Sequence, residues 1–200
     1  MNSMLMSFGR HARQPYKPQM RLKGASAPGK TPQAGAQSQN ERLDVVDVDD
    51  KVIDQAKRGE IHRLRLRHRA VHMLVFNRQG RLFVQQRALA KDSFPGYWDT
   101  SAAGHLDAGE TYDQAARREL SEELGLQASL EKVGRLEASA ATGFEFVNVY
   151  RAVTDQTPVP AKDEIMATRW FEITALGDEM DRGLMPFTPS FRVIFARFVA

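Results

Sequence analysis

Residues Ala70 to Phe76 form an almost unbroken apolar run, interrupted only by His72. A half-exposed strand alternates polar and apolar residues, so a run without alternation reads as a strand inside a buried sheet. Such a strand needs neighbours. Asn77-Arg78-Gln79-Gly80 reads as a turn and Arg81 to Gln86 as a second strand, which together make a hairpin. The alternation of Arg63, Arg65, Arg67 and Arg69 with Leu64, Leu66 and His68 reads as a strand leading into the apolar run, its arginines on one face. Further strands are expected at 43–48, 130–138, 145–153 and 166–172, and a loop at Phe94 to Trp98. Short helices are expected at 173–181 and 189–199, the second with Phe191, Ile194, Phe195 and Phe198 at helical spacing. Strands mixed with helices imply a layered α/β or α+β domain.

Composition narrows the chemistry. A chain of 200 residues without cysteine has no disulfides, no cysteine–zinc site, no iron–sulfur cluster and no thiol nucleophile. No stretch approaches the roughly 18 apolar residues of a membrane-spanning helix. The formal charge of +3 is unevenly placed. Arg10, Arg13, Lys17, Arg21, Lys23 and Lys30 fall in residues 1–40, which lack acids and hold Pro15, Pro18, Pro28 and Pro32. The remaining residues carry 22 basic and 25 acidic side chains. Residues 1–40 are therefore expected to be a disordered basic tail, and 41–200 a single domain of mildly acidic character. The expected location is cytoplasmic, although an acid-free, arginine-bearing tail also suits organellar targeting.

The clearest helix is Thr111 to Leu124. Thr111 and Gln114 suit a capping box, and Gly125 stands where a helix stop belongs. Glu119 and Glu123 share one face of it, with Glu122 beside them. Acids at i,i+4 repel, and the helix C-terminus disfavours anions, so this helix accepts two penalties that a cation would relieve. Oxygen ligands select hard Mg²⁺, Mn²⁺ or Ca²⁺ over zinc. A solvated acidic face neutralised by Arg117 and Arg118 is the plainer reading of the same residues.

The wider pattern favours the cation. Gly104 is followed by Glu110, Arg118, Glu119, Leu120, Glu122, Glu123, Gly125 and Leu126 at the spacings of the 23-residue Nudix box, without a departure. The chain resembles a Nudix hydrolase. That resemblance implies an α/β/α sandwich with a mixed central sheet, in which the box forms a loop–helix–loop. It also implies divalent-metal-dependent hydrolysis of a nucleoside diphosphate linked to another moiety, or of a similar diphosphate. Carried over, Glu119, Glu122, Glu123 and the Gly104 carbonyl are metal ligands. Arg118 orients the carboxylates, and Glu119, Glu145 and Glu164 compete as general base.

The body is also similar to type 1 isopentenyl-diphosphate isomerase, through His68-Arg69-Ala70 leading into Leu74-Val75-Phe76-Asn77, Gln86-Arg87-Ala88-Leu89, Lys91-Asp92-Ser93-Phe94-Pro95-Gly96-Tyr97-Trp98, Gly104-His105, Glu145 and Glu164 to Trp170. In that isomerase a cysteine is catalytic, and histidines with glutamates hold a metal. Here the cysteine position falls on Ala103, one ligand histidine on Ile61 beside His62, and one ligand glutamate on Gly143, while His68, His105 and Glu145 match. An alkene isomerisation needs a proton donor and acceptor on opposite faces, and half of that pair is absent. The chain thus resembles an isomerase-like branch of Nudix hydrolases, similar to uncharacterised bacterial YfcD-type proteins. Arg87, Trp98 and His105 are candidate substrate contacts, Arg87 because guanidinium suits diphosphate oxygens. Trp98 and His105 also have ordinary readings, as core closure and as a backbone-bonded loop histidine; His68 and His72 share a face and could simply pack. A small-molecule diphosphate is the expected partner, with no membrane, nucleic acid disfavoured, and a homodimer in keeping with Nudix relatives. A non-catalytic nucleotide- or RNA-binding module is the rival class, with Lys57 to Arg69 as its best support.

Overall fold

The computed structural model describes residues 39–200. Of the expected tail, all but Gln39 and Asn40 lies outside the described residues. Strands β1 (Arg42–Val46) and β2 (Val52–Lys57) pair antiparallel and run into helix α1 (Arg58–Leu64). Then follow β3 (His68–Phe76), β4 (Leu82–Arg87), β5 (Trp98–Asp99), β6 (Ala102–His105) and α2 (Tyr112–Leu124). The remainder is β7 (Glu131–Leu136), a 3₁₀ turn Ala140–Thr142, β8 (Glu145–Val153), β9 (Ile165–Phe171), α3 (Ile173–Arg182) and α4 (Pro189–Phe198).

Strands β3 to β9 form one mixed sheet in the order β5-β4-β3-β8-β7, with β6 also pairing β3 and β9 pairing β4. The apolar run lies at its centre. Alternate residues of β3 point to opposite faces: Val71, Met73 and Val75 pack with Ala115, Ala116, Leu120 and Leu124 of α2. Ala70, Leu74 and Phe76 pack with Leu176 of α3 and Phe191, Ile194 and Phe195 of α4. Helices on both faces are why β3 shows so little polar alternation. The fold is the expected α/β/α sandwich.

Helix α2 begins at the capping box expected, Thr111 accepting from the Gln114 N–H, and ends at Gly125 with φ 63°. The strand expected through Arg63 to Arg69 is corrected: Arg63 lies in α1, and Arg65, at φ 54°, ends that helix in the left-handed region. Only His68 and Arg69 belong to β3. The polar–apolar alternation there reflects a helix end and a loop.

The β1–β2 hairpin is fastened to the body by its turn. Asp50 takes Arg69 Nε at 2.6 Å, the Tyr112 hydroxyl at 3.0 Å and Arg135 Nη1 at 3.1 Å. Its sides hold the loop before α2, since Gly109 N–H donates to Asp44 Oδ2 and Ala108 N–H to the Arg42 carbonyl.

Candidate active site

Helix α2 crosses β6 with its carboxylates turned toward that strand's backbone. Gly104 has no side chain, and the Glu119 carboxylate occupies the space where a Cβ would stand. One turn on, Glu123 is buried and its Oε2 accepts from the Ala103 N–H and from Gln85 Nε2, both at 3.1 Å. Glu122 stays half exposed. A single guanidinium ties the group together. Arg118 grips Glu110 with Nε and Nη2 at 3.0 and 2.8 Å, reaches Glu119 at 2.7 Å and Glu122 at 3.2 Å with Nη1, and donates to the His105 carbonyl at 2.9 Å. The bidentate grip fixes the fork's plane.

Burial pushes the Glu119 carboxyl up to about 8, with the Glu123 charge adding to it and Arg118 opposing. Burial raises Glu123 as well, against the pull of Lys91, the Ala103 N–H and Gln85. Two acids buried side by side resist joint ionisation unless a cation joins them. Part of that charge comes from a residue absent from the sequence-based candidates. Lys91 is buried, is ion-paired with Glu164, and feels the charges of Glu123 and Glu119, while its own burial lowers its pKa. Its sequence signal is its place at the head of the Lys91 to Trp98 stretch that resembles the isomerase.

A second cluster forms on the other side of His105. His62 from α1, His68 opening β3, His105 closing β6 and Glu145 opening β8 bring one ligand atom each within 4.8 Å of one another. Among the described residues no other group of three or more such side chains is gathered so tightly, and Glu119, Glu122 and Glu123 are not. The strand registers bring the cluster together: His68 stands opposite Glu145 in the parallel β3–β8 pair, and Ala70 opposite His105 in β3–β6. Glu145 Oε1 lies 3.2 Å from His105 Nε2 and 3.5 Å from His68 Nε2. His68 Nδ1 is 3.0 Å from the Leu66 carbonyl, which assigns its proton to Nδ1 and turns Nε2 toward the cluster.

Burial and the neighbouring imidazoles lower His62 to about 3, and burial lowers His105 to about 4 although Glu145 opposes it. The histidines hold Glu145 well below the ordinary carboxylate range against its burial. Neutral imidazoles around an ionised carboxylate are the protonation state that a metal requires. His62 Nε2 is buried with no hydrogen-bond partner among the described residues, which fits a role as a cation ligand. The isomerase ligand position that falls on Ile61 in the sequence is matched in space by the neighbouring His62, which joins the cluster where Ile61 does not. Ile61 is fully buried among Leu43, Val45 and Ala56, and one step along a helix rotates the next side chain by about 100°.

A cavity of about 110 Å³ opens beside Ala103, Gly104 and His105. Arg58, His62, Arg87, Phe94 and Glu145 also line it. Arg87 is braced by the Ser93 carbonyl at 3.0 Å and Asp99 at 3.4 Å. Trp98 does not line it; its ring packs edge-on to Phe171 on the α3–α4 side, the core role. Glu164 is likewise outside it, occupied by Lys91.

Residues 66–191 match the NUDIX domain. The chain belongs to the Nudix family. Its Nudix box supplies α2 and the loop before it, and the protein is of the Nudix hydrolase type. Similar proteins include an isopentenyl-diphosphate Delta-isomerase of Serratia proteamaculans, 36% identical over 160 residues, covering 78% of this chain and 89% of the relative. An uncharacterised Nudix hydrolase of Pseudomonas aeruginosa is 36% identical over 155 residues, covering 77% and 90%. A solved structure from Deinococcus radiodurans superposes with a TM-score of 0.72 at 28% identity, over 80% of this chain and all of the other. The Nudix match begins at residue 66, so β1, β2 and α1, with His62, precede it. No helix of the described residues is long and apolar enough to cross a membrane.

Proposed function

We propose that the protein hydrolyses a diphosphate linkage in a nucleoside diphosphate joined to another moiety, or in a similar organic diphosphate, with Mg²⁺ or Mn²⁺ as cofactor. The observation that carries this reading is the seating of Glu119 and Glu123 against the backbone of Gly104 and Ala103, with Arg118 spanning Glu110, Glu119 and Glu122. Glu119, Glu122, Glu123 and the Gly104 carbonyl offer oxygen donors alone, which suits a hard cation. The raised Glu119 fits a site short of positive charge. A bound ion would neutralise diphosphate oxygens and acidify a coordinated water.

The chain's own groups do the rest. Arg87 and Lys91 bring positive charge toward the diphosphate, and Arg118 keeps the carboxylates in place. Among the three candidate bases, Glu145 is held by His68 and His105, and Glu164 by Lys91. Glu119 is also paired, with Arg118, but of the three it alone lies against Gly104 among the proposed ligands, and on that ground it is assigned as the group that takes the proton from water. His62, His68, His105 and Glu145 form a separate candidate centre, whose nitrogen-rich donor set suits a borderline transition metal better than Mg²⁺.

The isomerase reading draws on that histidine cluster, but the methyl of Ala103 lines the cavity where an acid–base cysteine would be needed, and the chain has none. A panel of nucleoside triphosphates, ADP-ribose, dinucleotides, coenzyme A and isopentenyl diphosphate, assayed with Mg²⁺ and Mn²⁺ and with product positions determined, separates the readings. We expect a phosphorylated product from one member, lost in Glu122→Gln. Undiminished turnover in Glu122→Gln would refute the ligand assignment, and dimethylallyl diphosphate as sole product would refute hydrolysis.

A further inference from the structure

His72 belongs to neither cluster. It lies on β3 opposite Ala103, on the face that continues into the core as Leu74 and Phe76, and it lines the cavity while being 5% exposed. An aliphatic residue would continue that packing. The imidazole is instead held from behind: its Nδ1 is 2.8 Å from Thr100 Oγ1 and 3.8 Å from Asp99 Oδ1. Thr100 Oγ1 donates to the Ala102 carbonyl, so it can only accept from His72, which assigns the proton to Nδ1. Asp99 is fixed in turn by the Thr100 N–H at 2.8 Å, the Thr188 hydroxyl at 3.0 Å and Arg87 at 3.4 Å. With Nδ1 donating to Thr100, Nε2 is the ring atom left to face a ligand.

We infer that His72 is a specificity-determining residue, whose Nε2 accepts a hydrogen bond from a hydroxyl on the group attached to the diphosphate. The surrounding wall is polar: Asp99, Thr188, Ser190 and Arg87 share the cavity with His72, and Phe94 is its one large apolar side chain. The substrate class is accordingly a hydroxylated, sugar-like diphosphate and not a prenyl one. A hydrocarbon chain would bury this imidazole without a partner, whereas a hydroxyl satisfies it. The inference rests on the diphosphate reading above, since Arg87 and Gly104 line the same cavity.

The test is calorimetric binding in Mg²⁺ of inorganic diphosphate, ADP-ribose, UDP-glucose and isopentenyl diphosphate to wild type, His72→Leu and His72→Gln, with melting temperatures recorded. Wild type is expected to prefer at least one hydroxylated ligand over isopentenyl diphosphate. His72→Leu should weaken that ligand roughly ten- to a hundredfold, leave inorganic diphosphate unchanged and bind isopentenyl diphosphate no worse. His72→Gln, which keeps an acceptor, should lose less. Should the leucine variant not fold, the wild-type ranking and the glutamine variant still decide. Inorganic diphosphate bound with no preference for either hydroxylated ligand, or a preference that His72→Leu leaves intact, overturns the assignment of His72. No binding of inorganic diphosphate overturns the diphosphate reading itself.

Discussion

Gly104→Ala separates the site from the fold. A methyl at Gly104 would fall on the Glu119 carboxylate, touching both oxygens and Cδ, and ordinary contact begins near 3.4 Å. The carboxylate must therefore retreat by more than about 1 Å, and a displacement of that size at a reacting group costs on the order of a hundredfold in rate, or about 2.7 kcal/mol of barrier. The three atoms nearest to that methyl all belong to the end of a rotatable side chain, so the folded state should lose only about 1 kcal/mol, the scale of an unfavourable rotamer. Turnover of whichever diphosphate the panel identifies, measured beside a thermal melt, gives both numbers. A variant with undiminished turnover would show that Glu119 needs no contact with Gly104. A variant whose melting temperature collapses would show that Gly104 serves packing and not the carboxylate.

Protons should compete differently at the two candidate metal centres. A metal binds the deprotonated ligand, so the raised Glu119, near 8, predicts Mn²⁺ affinity at the α2 carboxylates falling as pH drops below about 8. His62 and His105 are lowered to about 3 and 4, so these two ligands stay deprotonated from pH 7.5 to about 5 and a cation there should lose less affinity over that range than one at the carboxylates; parallel pH dependence in calorimetric titrations would contradict this. His62→Ala should remove the metal from the histidine centre, read by elemental analysis of the purified protein, while Ile61→Ala should lower stability and leave metal content intact. Asp50→Ala removes the carboxylate shared by Arg69, Tyr112 and Arg135, leaving Arg135 its contact with Glu137, and should cost about 2 kcal/mol in urea denaturation; a loss under 0.5 kcal/mol would mean that the hairpin is held elsewhere.

Much of this fold was legible where one element carries its own signals. The strand expected at 145–153 is β8, and α2 declares itself by Thr111, Gln114 and Gly125. The elements that escaped lack such signals. Helix α1 has seven residues, a glycine in its first turn and no side-chain cap, while β6 reads Ala-Ala-Gly-His, without a β-branched residue. The candidate site divides on the same line. Glu119, Glu122 and Glu123 are neighbours on one helix, so spacing alone groups them. The histidine cluster is assembled by strand register between distant segments, and Lys91 meets Glu164 through no local pattern. His62 was hidden by its wrongly assigned surroundings, since strand alternation disguises which side of α1 faces inward.

That assembly has a mechanical consequence. The four donors come from α1, β3, β6 and β8, and the first and last are 83 positions apart in the chain. A cation held there would act as a cross-link closing three successive loops, and would bind the native chain far better than the unfolded one. It would also staple the segment before residue 66 onto the body, through His62 alone. Chelation should therefore loosen the hairpin and α1 first, exposing backbone near residue 62 to proteolysis while the sheet behind it stays closed.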